Sequence, residues 1–507
     1  MRDPRSNDSV QSKPSLSKLD GFRALLGGMV LAATVALSIG AWLARGFTVD
    51  SGSMATALLG PHQSLRCAAC NARFVVGVED QAAIDRPAAC PNCGALVPRD
   101  PRQNAAGDSV LVDRNAFHFR APRRFEVVAL REPGQASQTC VKRVVGLPGE
   151  RVEVREGDVY IDGAIARKNL AQQQAVALLV HDRGLAVQVS EEAAAQPFSK
   201  TDRWQPESDA SAWEQSHGVF RKRATPATEA SPSTSSATSS LPVEDWLAYR
   251  HLLRVGDSEE FVESPVLDTQ AYNQTRPVVD PRVVYDLMLT FEVECGGSGN
   301  ILVLASDGRA NYHIELNTTT GECALSRADP AGGALVGSKL NRVSSVGPAL
   351  ADGKRHEVLI SMIDRQILAA IDGTLIVEHS VEEPDLGAPV SPVTRPFAID
   401  SNCADLRLSN LRIYRDIYYT PVRVGAASAQ AGATKAATET VLAADEFFVL
   451  SDNSRLGLDS RYAEFGPAAP FNLFVGKPLA AYSRSSPPPG WRGGIQVPAP
   501  WRFRYIR

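Results

Sequence analysis

The pattern of apolar and polar positions first sets apart one uncharged segment near the start of the chain. Between Ala24 and Ala44 no charged side chain occurs, and Arg23 and Arg45 bracket the segment. A helix of this length can cross a bilayer. A cleaved signal peptide is the alternative, but its apolar region would usually be shorter. We therefore predict a transmembrane helix over residues 21–45.

Basic residues set the orientation of this predicted helix. Lys13, Lys18 and Arg23 place more positive charge before the uncharged segment than after it. Positive charge favours the cytoplasmic side of a membrane. Residues 1–20 are therefore predicted to form a disordered cytoplasmic tail, and the rest of the chain to lie outside the cytoplasmic membrane.

Beyond this segment, short alternating runs of apolar residues predict a mainly β protein. They include 109-SVLVD-113, 125-FEVVAL-130, 140-CVKRVV-145 and 158-DVYID-162, and glycine and proline turns separate them. Runs of this length and period are typical of strands.

A second group of strand-like runs fills the later part of the chain. Within 367-ILAAIDGTLIVEH-379, the pair Asp372-Gly373 divides two apolar runs, as in a two-residue hairpin turn. Many short strands separated by turns indicate two packed antiparallel sheets. We therefore predict an antiparallel β-sandwich insert over residues 245–418.

Composition predicts two linkers and argues against nucleic-acid binding. Of the 507 residues, 44% are hydrophobic and 22% are charged, as in an ordinary globular protein. The net charge of −4 and the lack of a basic cluster argue against nucleic-acid binding. Segments rich in Ala, Ser, Thr and Pro have few apolar side chains to pack. They predict an irregular segment with a linker over 171–244 and a second linker over 419–443.

The first candidate for chemistry is 51-SGSM-54, which follows the uncharged segment directly. A serine is a poor nucleophile until a base takes its proton. The sequence has no Gly-x-Ser-x-Gly elbow, and none of its eight histidines carries a local signature that ties it to a serine. The same Ser-Gly-Ser stretch could equally form an ordinary turn.

A lysine can replace histidine as the base when apolar surroundings keep its amine neutral. Lys142 lies in a short apolar run, and a strand there places Lys142 and Val144 on one face. The alternative is a surface lysine on an edge strand. Periodicity alone favours that alternative.

Four of the eight cysteines have the spacing of a metal site. Cys67 and Cys70 form one Cys-x2-Cys pair, Cys90 and Cys93 form another, and 19 residues separate the pairs. This spacing fits a tetrahedral four-thiolate zinc site. Two disulfides or free thiols remain the alternative, because this segment is predicted to lie outside the cytoplasm. We predict a structural zinc ribbon over residues 62–104 and no catalytic cofactor.

The other four cysteines, Cys140, Cys295, Cys323 and Cys403, show no metal spacing. Of these, Cys295 and Cys323 are candidates for a disulfide inside the sandwich, which the sequence does not decide.

Four sequence blocks favour a functional role for Ser53 and Lys142. After the predicted membrane helix come 51-SGSM-54, 107-GDSVLVDR-114, 142-KRVVGLPGE-150 and 452-DNSRLGLDSRY-462. In this combination and order, the chain resembles the bacterial type I signal peptidases, which are serine/lysine proteases of the cytoplasmic membrane. The resemblance implies a β-rich catalytic core formed by residues 46–61, 105–170 and 444–507.

The resemblance also assigns roles to single residues. Ser53 would be the nucleophile and Lys142 the general base. The Ser51 hydroxyl would join the backbone N–H of Ser53 in the oxyanion hole, and Asp459 and Arg461 would support the site structurally. Family members remove N-terminal signal peptides from exported preproteins. The implied partners are signal peptides and membrane lipid, with the catalytic part on the outer or periplasmic side of a single-pass protein.

The chain departs from the family pattern at several positions. Ala55-Thr56-Ala57 follows the methionine where proline and threonine are usual, and Glu150 replaces an aspartate. Ser451 replaces the glycine before Asp-Asn, and Gly457 aligns with a serine that hydrogen-bonds the catalytic lysine. From this last difference we predict that Gly457→Ser raises the cleavage rate.

The predicted sandwich weakly resembles concanavalin-like or laminin-G-like domains through residues 353–376. Such a domain suggests a glycan, peptidoglycan or protein ligand. A spacer or steric lid is the preferred interpretation, because no cluster of exposed aromatic residues or acidic calcium ligands is evident from the sequence. The alternative function for the whole chain is a catalytically weakened family member that acts as a membrane-anchored binding module through this sandwich.

Overall fold

The computed structural model describes residues 17–42, 44–78, 86–133, 135–186, 198, 202–223, 245–255, 258, 260–274, 280–328, 345–351, 353–381, 392–420, 439–482 and 503–506. Most of the predicted tail (1–16) and large parts of the two predicted linkers (224–244 and 421–438) lie outside these residues. The described part of the chain is mainly β, as predicted.

A helix covers the uncharged segment and runs from Ser17 to Trp42. Among the residues that the structure describes, no helix combines the length and the apolar character needed to cross a bilayer. The membrane-spanning role of this segment therefore stays a prediction.

The predicted catalytic core contains an antiparallel sheet of eight strands. In spatial order these are Ala44–Thr48, Ser109–Asp113, Phe474–Tyr482, Val127–Glu132, Gln135–Gly146, Glu446–Leu450 and Ala469–Pro470, with Phe503–Tyr505 beside Phe474–Tyr482. Strands from the start, the middle and the end of the chain thus pair in one sheet. This pairing brings the predicted core segments together across the inserts.

A four-stranded sheet extends the core, with the strands Ala164–Ile165, Asp158–Ile161, Arg151–Arg155 and Glu439–Val441. Short helices at Ala116–Phe119, Leu170–Val176 and Arg183–Ala186 connect the strands. The helix Leu170–Val176 begins with a reciprocal capping box, in which Asn169 and Gln172 each bond the other's backbone amide.

The insert is a sandwich of two antiparallel sheets. One contains Trp213–Ser216, Val219–Arg223, Asp405–Arg415, Leu287–Gly296, Arg355–Ile363, Gln366–Ile371 and Thr374–Ser380, with Leu178–Asp182 beside Asp405–Arg415. The other contains Trp204–Pro206, Leu247–Tyr249, Phe397–Ser401, Asn300–Ser306, Asn311–Asn317, Glu322–Ala328 and Ser345–Val346.

Alternation of side chains builds the core between these two sheets. Along Asn300–Ser306 every second residue is buried, because successive side chains of a strand point to opposite faces. Ile301 and Val303 thereby join Leu289 and Phe291 of the opposite sheet in one apolar cluster. The hairpin predicted at Asp372-Gly373 is confirmed, and both of its turn residues have positive φ angles of 49° and 76°.

The boundary of the sandwich differs from the sequence prediction. The segment predicted to be irregular, 171–244, contributes strands to both sheets, and Trp213 and Phe220 from it are buried in the sandwich core. These strands are three to five residues long. Runs this short contain too few alternations to be distinguished from a loop by their sequence pattern.

A small body of short strands carries the four spaced cysteines. It contains a three-stranded sheet of Arg73–Gly77, His62–Arg66 and Asn104–Ala105, and the hairpin Ala88–Ala89 with Leu96–Val97. Another hairpin, Leu252–Arg254 with Phe261–Glu263, lies between two sandwich strands in the sequence.

Candidate active site

The serine motif forms a tight turn at the end of the first core strand. A 3-10 turn spans Gly52–Met54. Met54 is fully buried in an apolar cluster with Val49 and Leu58. This anchor fixes the turn while Ser51 stays exposed. The Ser51 hydroxyl oxygen lies 3.3 Å from that of Ser53.

Lys142 is buried inside the core sheet rather than exposed at its edge. Its strand, Gln135–Gly146, has a neighbouring strand on each side, and the side chain is only 3% exposed. The Nζ atom donates a hydrogen bond to Ser451 Oγ at 3.0 Å and lies 5.8 Å from the centre of the Phe465 ring. The alternative of a surface lysine on an edge strand is therefore wrong.

One short segment, Ser451–Asn453, contacts both the serine turn and Lys142. Ser451 binds Lys142 as described, and the backbone amide of Asn453 donates to the carbonyl oxygen of Ser53 at 2.9 Å. The side-chain amide of Asn453 also donates to the carbonyl oxygen of Gly52 at 3.0 Å. The serine turn and Lys142 thus both contact this segment.

The position of Gly457 corrects the prediction made for it. A Cβ atom added at Gly457 would lie 2.0 Å from Ser451 Cβ and 2.1 Å from Ser451 Oγ. The Ser451 side chain therefore fills the space that a serine at 457 would need. The premise of the Gly457→Ser prediction, that Lys142 lacks a hydroxyl to direct it, is wrong, because that hydroxyl comes from Ser451.

Sequence reasoning missed Ser451 as the partner of Lys142. It treated two departures from the family pattern separately: a serine in place of a glycine at 451, and a glycine in place of a serine at 457. Taken as a pair, those two departures were the signal that could have identified the exchange.

A buried ion pair fastens the two chain segments beside the site. Arg143 donates through Nε and Nη2 to the two carboxylate oxygens of Asp452, at 2.7 and 2.6 Å. Its Nη1 donates to the carbonyl oxygen of Phe125 at 2.7 Å. These residues directly follow Lys142 and Ser451, so the pair holds both of those residues in register. Sequence analysis did not single out this pair.

Asp459 and Arg461 lie close to the site. The Asp459 carboxylate accepts two hydrogen bonds from the Arg461 guanidinium, both at 2.8 Å. It also accepts one from the backbone amide of Ser451 at 2.9 Å. Arg461 in turn donates to the side-chain oxygen of Ser454 at 2.6 Å. The pair therefore holds the backbone of the residue that contacts Lys142.

A segment of the sandwich insert also reaches the site. Asn273 and Asn453 exchange two side-chain hydrogen bonds, each of 2.8 Å. The neighbouring Tyr272 hydroxyl donates to the carbonyl oxygen of Pro61 at 3.0 Å. Gln274 exchanges two hydrogen bonds of 2.7 Å with the backbone of Ala89. We call residues 270–274 the strap, because they join the loop at 453 to the cysteine body.

The four spaced cysteines converge on one point. Cys67 and Cys93 have sulfurs 3.6 Å apart, and so do Cys70 and Cys90. All four sulfurs lie within 4.8 Å of one another. A tetrahedral zinc with Zn–S bonds of about 2.3 Å would separate its sulfurs by roughly 3.8 Å. The four residues therefore fit a zinc ion.

The two turns that present these cysteines share one backbone pattern. In the first, the amide of Cys67 donates to the carbonyl of Ala72, and in the second that of Cys90 donates to the carbonyl of Ala95. Hydrogen bonds from Cys90 and Cys93 lower the pKa of the Cys70 thiol, and the bond with Cys70 raises the pKa of Cys90 and of Cys93. A thiolate is the form that binds a metal.

An acidic cluster that sequence analysis did not detect lies elsewhere, between the core and the sandwich. Carboxylate oxygens of Asp158, Asp286 and Asp364 come within 4.8 Å of one another. Lys168 Nζ donates to Asp364 at 2.6 Å and to Asp416 at 2.8 Å. Burial, followed by the neighbouring carboxylates, raises the pKa of Asp158 to about 7. The ammonium and the retained proton reduce the negative charge that a cation site requires.

Comparison with known proteins relates the core to one family. Residues 101–212, which include Lys142, match the model described as signal peptidase, peptidase S26. The signal peptidase I of Leptolyngbya laminosa is 35% identical over 72 residues, covering 13% of this chain and 36% of that protein. Signal peptidase I V of Bacillus subtilis is 32% identical over 57 residues, covering 11% and 33%. The chain thus spans about a third of the length of these curated relatives.

Among solved structures, the carbohydrate binding module CBM66 from Bacillus subtilis covers 43% of this chain and 98% of its own at 8% identity. The TM-score of 0.24 is too low for that likeness to bear on function. These matches relate residues 101–212 of the core to the signal peptidases.

Proposed function

We propose that this chain is a membrane-anchored serine endopeptidase of the signal peptidase I type, with Ser53 as nucleophile and Lys142 as general base. The observation that carries the proposal is the contact of both residues with one segment: Lys142 with Ser451, and Ser53 with Asn453. The family matches described above support the same reaction class.

The first step of the proposed reaction is attack by Ser53. Its Oγ adds to the carbonyl carbon of the scissile peptide bond while the neutral Lys142 amine takes the hydroxyl proton. The negative charge then develops on the former carbonyl oxygen. The Ser51 hydroxyl and the Ser53 backbone N–H would donate to that oxygen, as in other oxyanion holes.

The later steps return the proton. The Lys142 ammonium gives it to the departing amine, and an ester between Ser53 and the N-terminal product remains. Lys142 then takes a proton from water, which attacks the ester carbonyl, and gives that proton to Ser53 Oγ as the ester bond breaks. The Lys142 amine therefore accepts a proton twice in each cycle, so its position matters in both halves of the reaction.

Ser451 gives that amine its direction. A neutral amine has two N–H donors and one lone pair, and only the lone pair accepts the serine proton. An N–H of Lys142 donates to Ser451 Oγ. Burial and the nearby Phe465 ring exclude water that would compete for the amine. In the proposed reaction, the lone pair would accept the proton of Ser53.

The proposed substrates are N-terminal signal peptides of exported preproteins, cut on the outer side of the cytoplasmic membrane. The uncharged helix would anchor the chain, and the serine turn begins ten residues after Ser17–Trp42 ends, with Gly52. The four-cysteine body would hold a structural zinc ion through Cys67, Cys70, Cys90 and Cys93. When bound, that zinc would supply folding stability and no open coordination position.

The test is cleavage of a preprotein by the purified full-length chain in detergent. We expect Ser53→Ala and Lys142→Met each to abolish cleavage, and the double variant to be no worse, because residues that act as one unit are not additive. Ser64→Ala and Lys354→Ala, both at exposed positions, are the matched controls and should cleave normally.

Two results would contradict the proposal. Substantial cleavage by Lys142→Met would remove lysine from the role of base. Absence of cleavage by the folded wild-type chain, with every variant equal to it, would favour the binding-module alternative.

A further inference from the structure

Two buried cysteines meet inside the sandwich. Cys295 lies near the end of the strand Leu287–Gly296, and Cys403 lies in the connection between Phe397–Ser401 and Asp405–Arg415. Each is 1% exposed, and their sulfur atoms are 3.2 Å apart. Cys295 therefore contacts Cys403 rather than Cys323, the partner considered from the sequence.

The surroundings of this pair differ from those of the zinc ribbon. In the described part of the chain, the only cysteines grouped with enough ligands for a metal are those of the ribbon. Among the described residues, no third metal-ligating side chain is grouped with Cys295 and Cys403. A pair of thiols without further ligands suits a disulfide better than a metal.

The backbone around Cys403 is fixed in place. Its amide donates to Ser401 Oγ at 3.0 Å, and that hydroxyl donates to the carbonyl oxygen of Asn300 at 3.0 Å. A Cβ atom added at Gly299 would lie 2.7 Å from Cys403 Cα and 2.9 Å from its sulfur. Glycine at 299 thus lets this turn pack directly against the cysteine.

We propose that Cys295 and Cys403 form a structural disulfide that joins the two sheets of the sandwich. Cys295 belongs to one sheet, and Cys403 lies in the connection that leads from a strand of the other sheet to the strand paired with that of Cys295. The bond would close a long chain loop, which restricts the unfolded chain strongly. The proposal rests on the predicted location outside the cytoplasm, where disulfides persist, and not on the peptidase activity.

The chemistry is thiol–disulfide exchange with an oxidised dithiol oxidoreductase or a small disulfide such as oxidised glutathione. The thiolate of Cys403 attacks a sulfur of that disulfide and expels one thiolate. Cys295 then attacks the mixed disulfide and expels the second. Two protein thiols lose two protons and two electrons, and the donor disulfide becomes two thiols. The hydrogen bond from Cys295 lowers the pKa of Cys403 to about 7, which favours the first attack.

The first test maps the bond directly. The full-length chain is isolated from membranes in the presence of N-ethylmaleimide, denatured with a chelator, alkylated again and digested without reductant. Mass spectrometry should find the Cys295 peptide joined to the Cys403 peptide, and Cys323 alkylated. Recovery of Cys295 and Cys403 in alkylated form, even after incubation with oxidised glutathione during refolding, would overturn the proposal.

The second test measures stability. Reductant should lower the melting temperature of the sandwich by roughly 5–10 °C, and a Cys295→Ala/Cys403→Ala variant should lose that response. Cys323→Ala, at a buried thiol of the same sandwich, is the matched control and should keep it. Equal responses to reductant in the wild type and the double variant would also overturn the proposal.

Discussion

Ser451 and Gly457 show how two residues can exchange roles without loss of geometry. In the family pattern, a serine at the position of Gly457 hydrogen-bonds the lysine, and a glycine stands at the position of Ser451. Here the hydroxyl comes from Ser451, and the missing side chain of Gly457 leaves it room. Lys142 therefore donates its hydrogen bond to a serine at position 451 instead of one at position 457.

This exchange predicts that each single variant loses activity and that the double exchange recovers it. Ser451→Ala removes one hydrogen bond of about 1 kcal/mol that directs Lys142, so kcat should fall about fivefold with little change in KM. Gly457→Ser alone should lower activity and stability, because its Cβ would lie 2.0 Å from Ser451 Cβ. The double variant Ser451→Gly/Gly457→Ser should recover much of the lost kcat. Steady-state kinetics on the four proteins measure this.

Ser64→Ala is the control for the kinetic series, since Ser64 is exposed in the cysteine body. An unchanged kcat in Ser451→Ala would mean that another group directs the lysine. A double variant no better than Gly457→Ser would mean that the two positions are not interchangeable.

The sequence alone could identify the serine motif and the lysine strand of this site, but not the long-range contacts of Lys142 and Arg143. The motif around Ser53 and the apolar run around Lys142 are local patterns. The contacts from Lys142 to Ser451 and from Arg143 to Asp452 each join residues 309 positions apart. Local periodicity carries no information about such pairs, because register between distant strands is set only when the sheet assembles.

At the scale of elements, strands with clear alternation were predictable and short ones were not. The strand Asn300–Ser306 alternates strictly between buried and partly buried residues. The strand Trp204–Pro206 has three residues and pairs only with Leu247–Tyr249 in its sheet. Its place in the sandwich depends on burial of Trp204 against Tyr249, whose ring centres are 5.4 Å apart. That tertiary contact has no signature in the local sequence.

The cysteine body gives a prediction at this scale. Cys67→Ser should lower the zinc content from about one ion per chain and destabilise the body, because structural zinc can supply on the order of 10 kcal/mol to folding. The chemistry of Ser53 and Lys142 should persist, since neither residue is in that body. Elemental analysis and the melting temperature measure the first effect, and cleavage measures the second.

Cys140→Ser is the matched control for the zinc experiment, because Cys140 lies in the core strand Gln135–Gly146 and outside the four-sulfur cluster. It should leave the zinc content unchanged. Wild-type protein that contains no zinc and carries two disulfides among the four cysteines would exclude the zinc ribbon.

At the scale of the whole molecule, the sandwich insert contacts the core close to the candidate site. The strap residues reach the catalytic loops, and Asn273 pairs with Asn453, whose side chain is fully buried. Asn453 in turn holds the backbone of Gly52 and Ser53. Asn453 therefore links the insert directly to Ser53, the nucleophile that we propose.

This connection predicts that Asn273→Ala impairs catalysis although Asn273 contacts neither Ser53 nor Lys142 in the contacts described above. The change leaves the buried amide of Asn453 without two partners, at a cost of about 1–3 kcal/mol. Asn453 can then turn away from the Gly52 carbonyl and loosen the serine turn. We expect kcat to fall by roughly ten- to a hundredfold, with a smaller change in KM.

The matched control comes from the same strap. Gln274→Ala removes the hydrogen bonds to Ala89 of the cysteine body but none to Asn453. It should lower the melting temperature while kcat stays near the wild-type value. If Asn273→Ala and Gln274→Ala lower the melting temperature alike and both keep wild-type kcat, the strap supports the fold alone. A loss of kcat confined to Asn273→Ala would instead make the sandwich insert part of what positions the nucleophile.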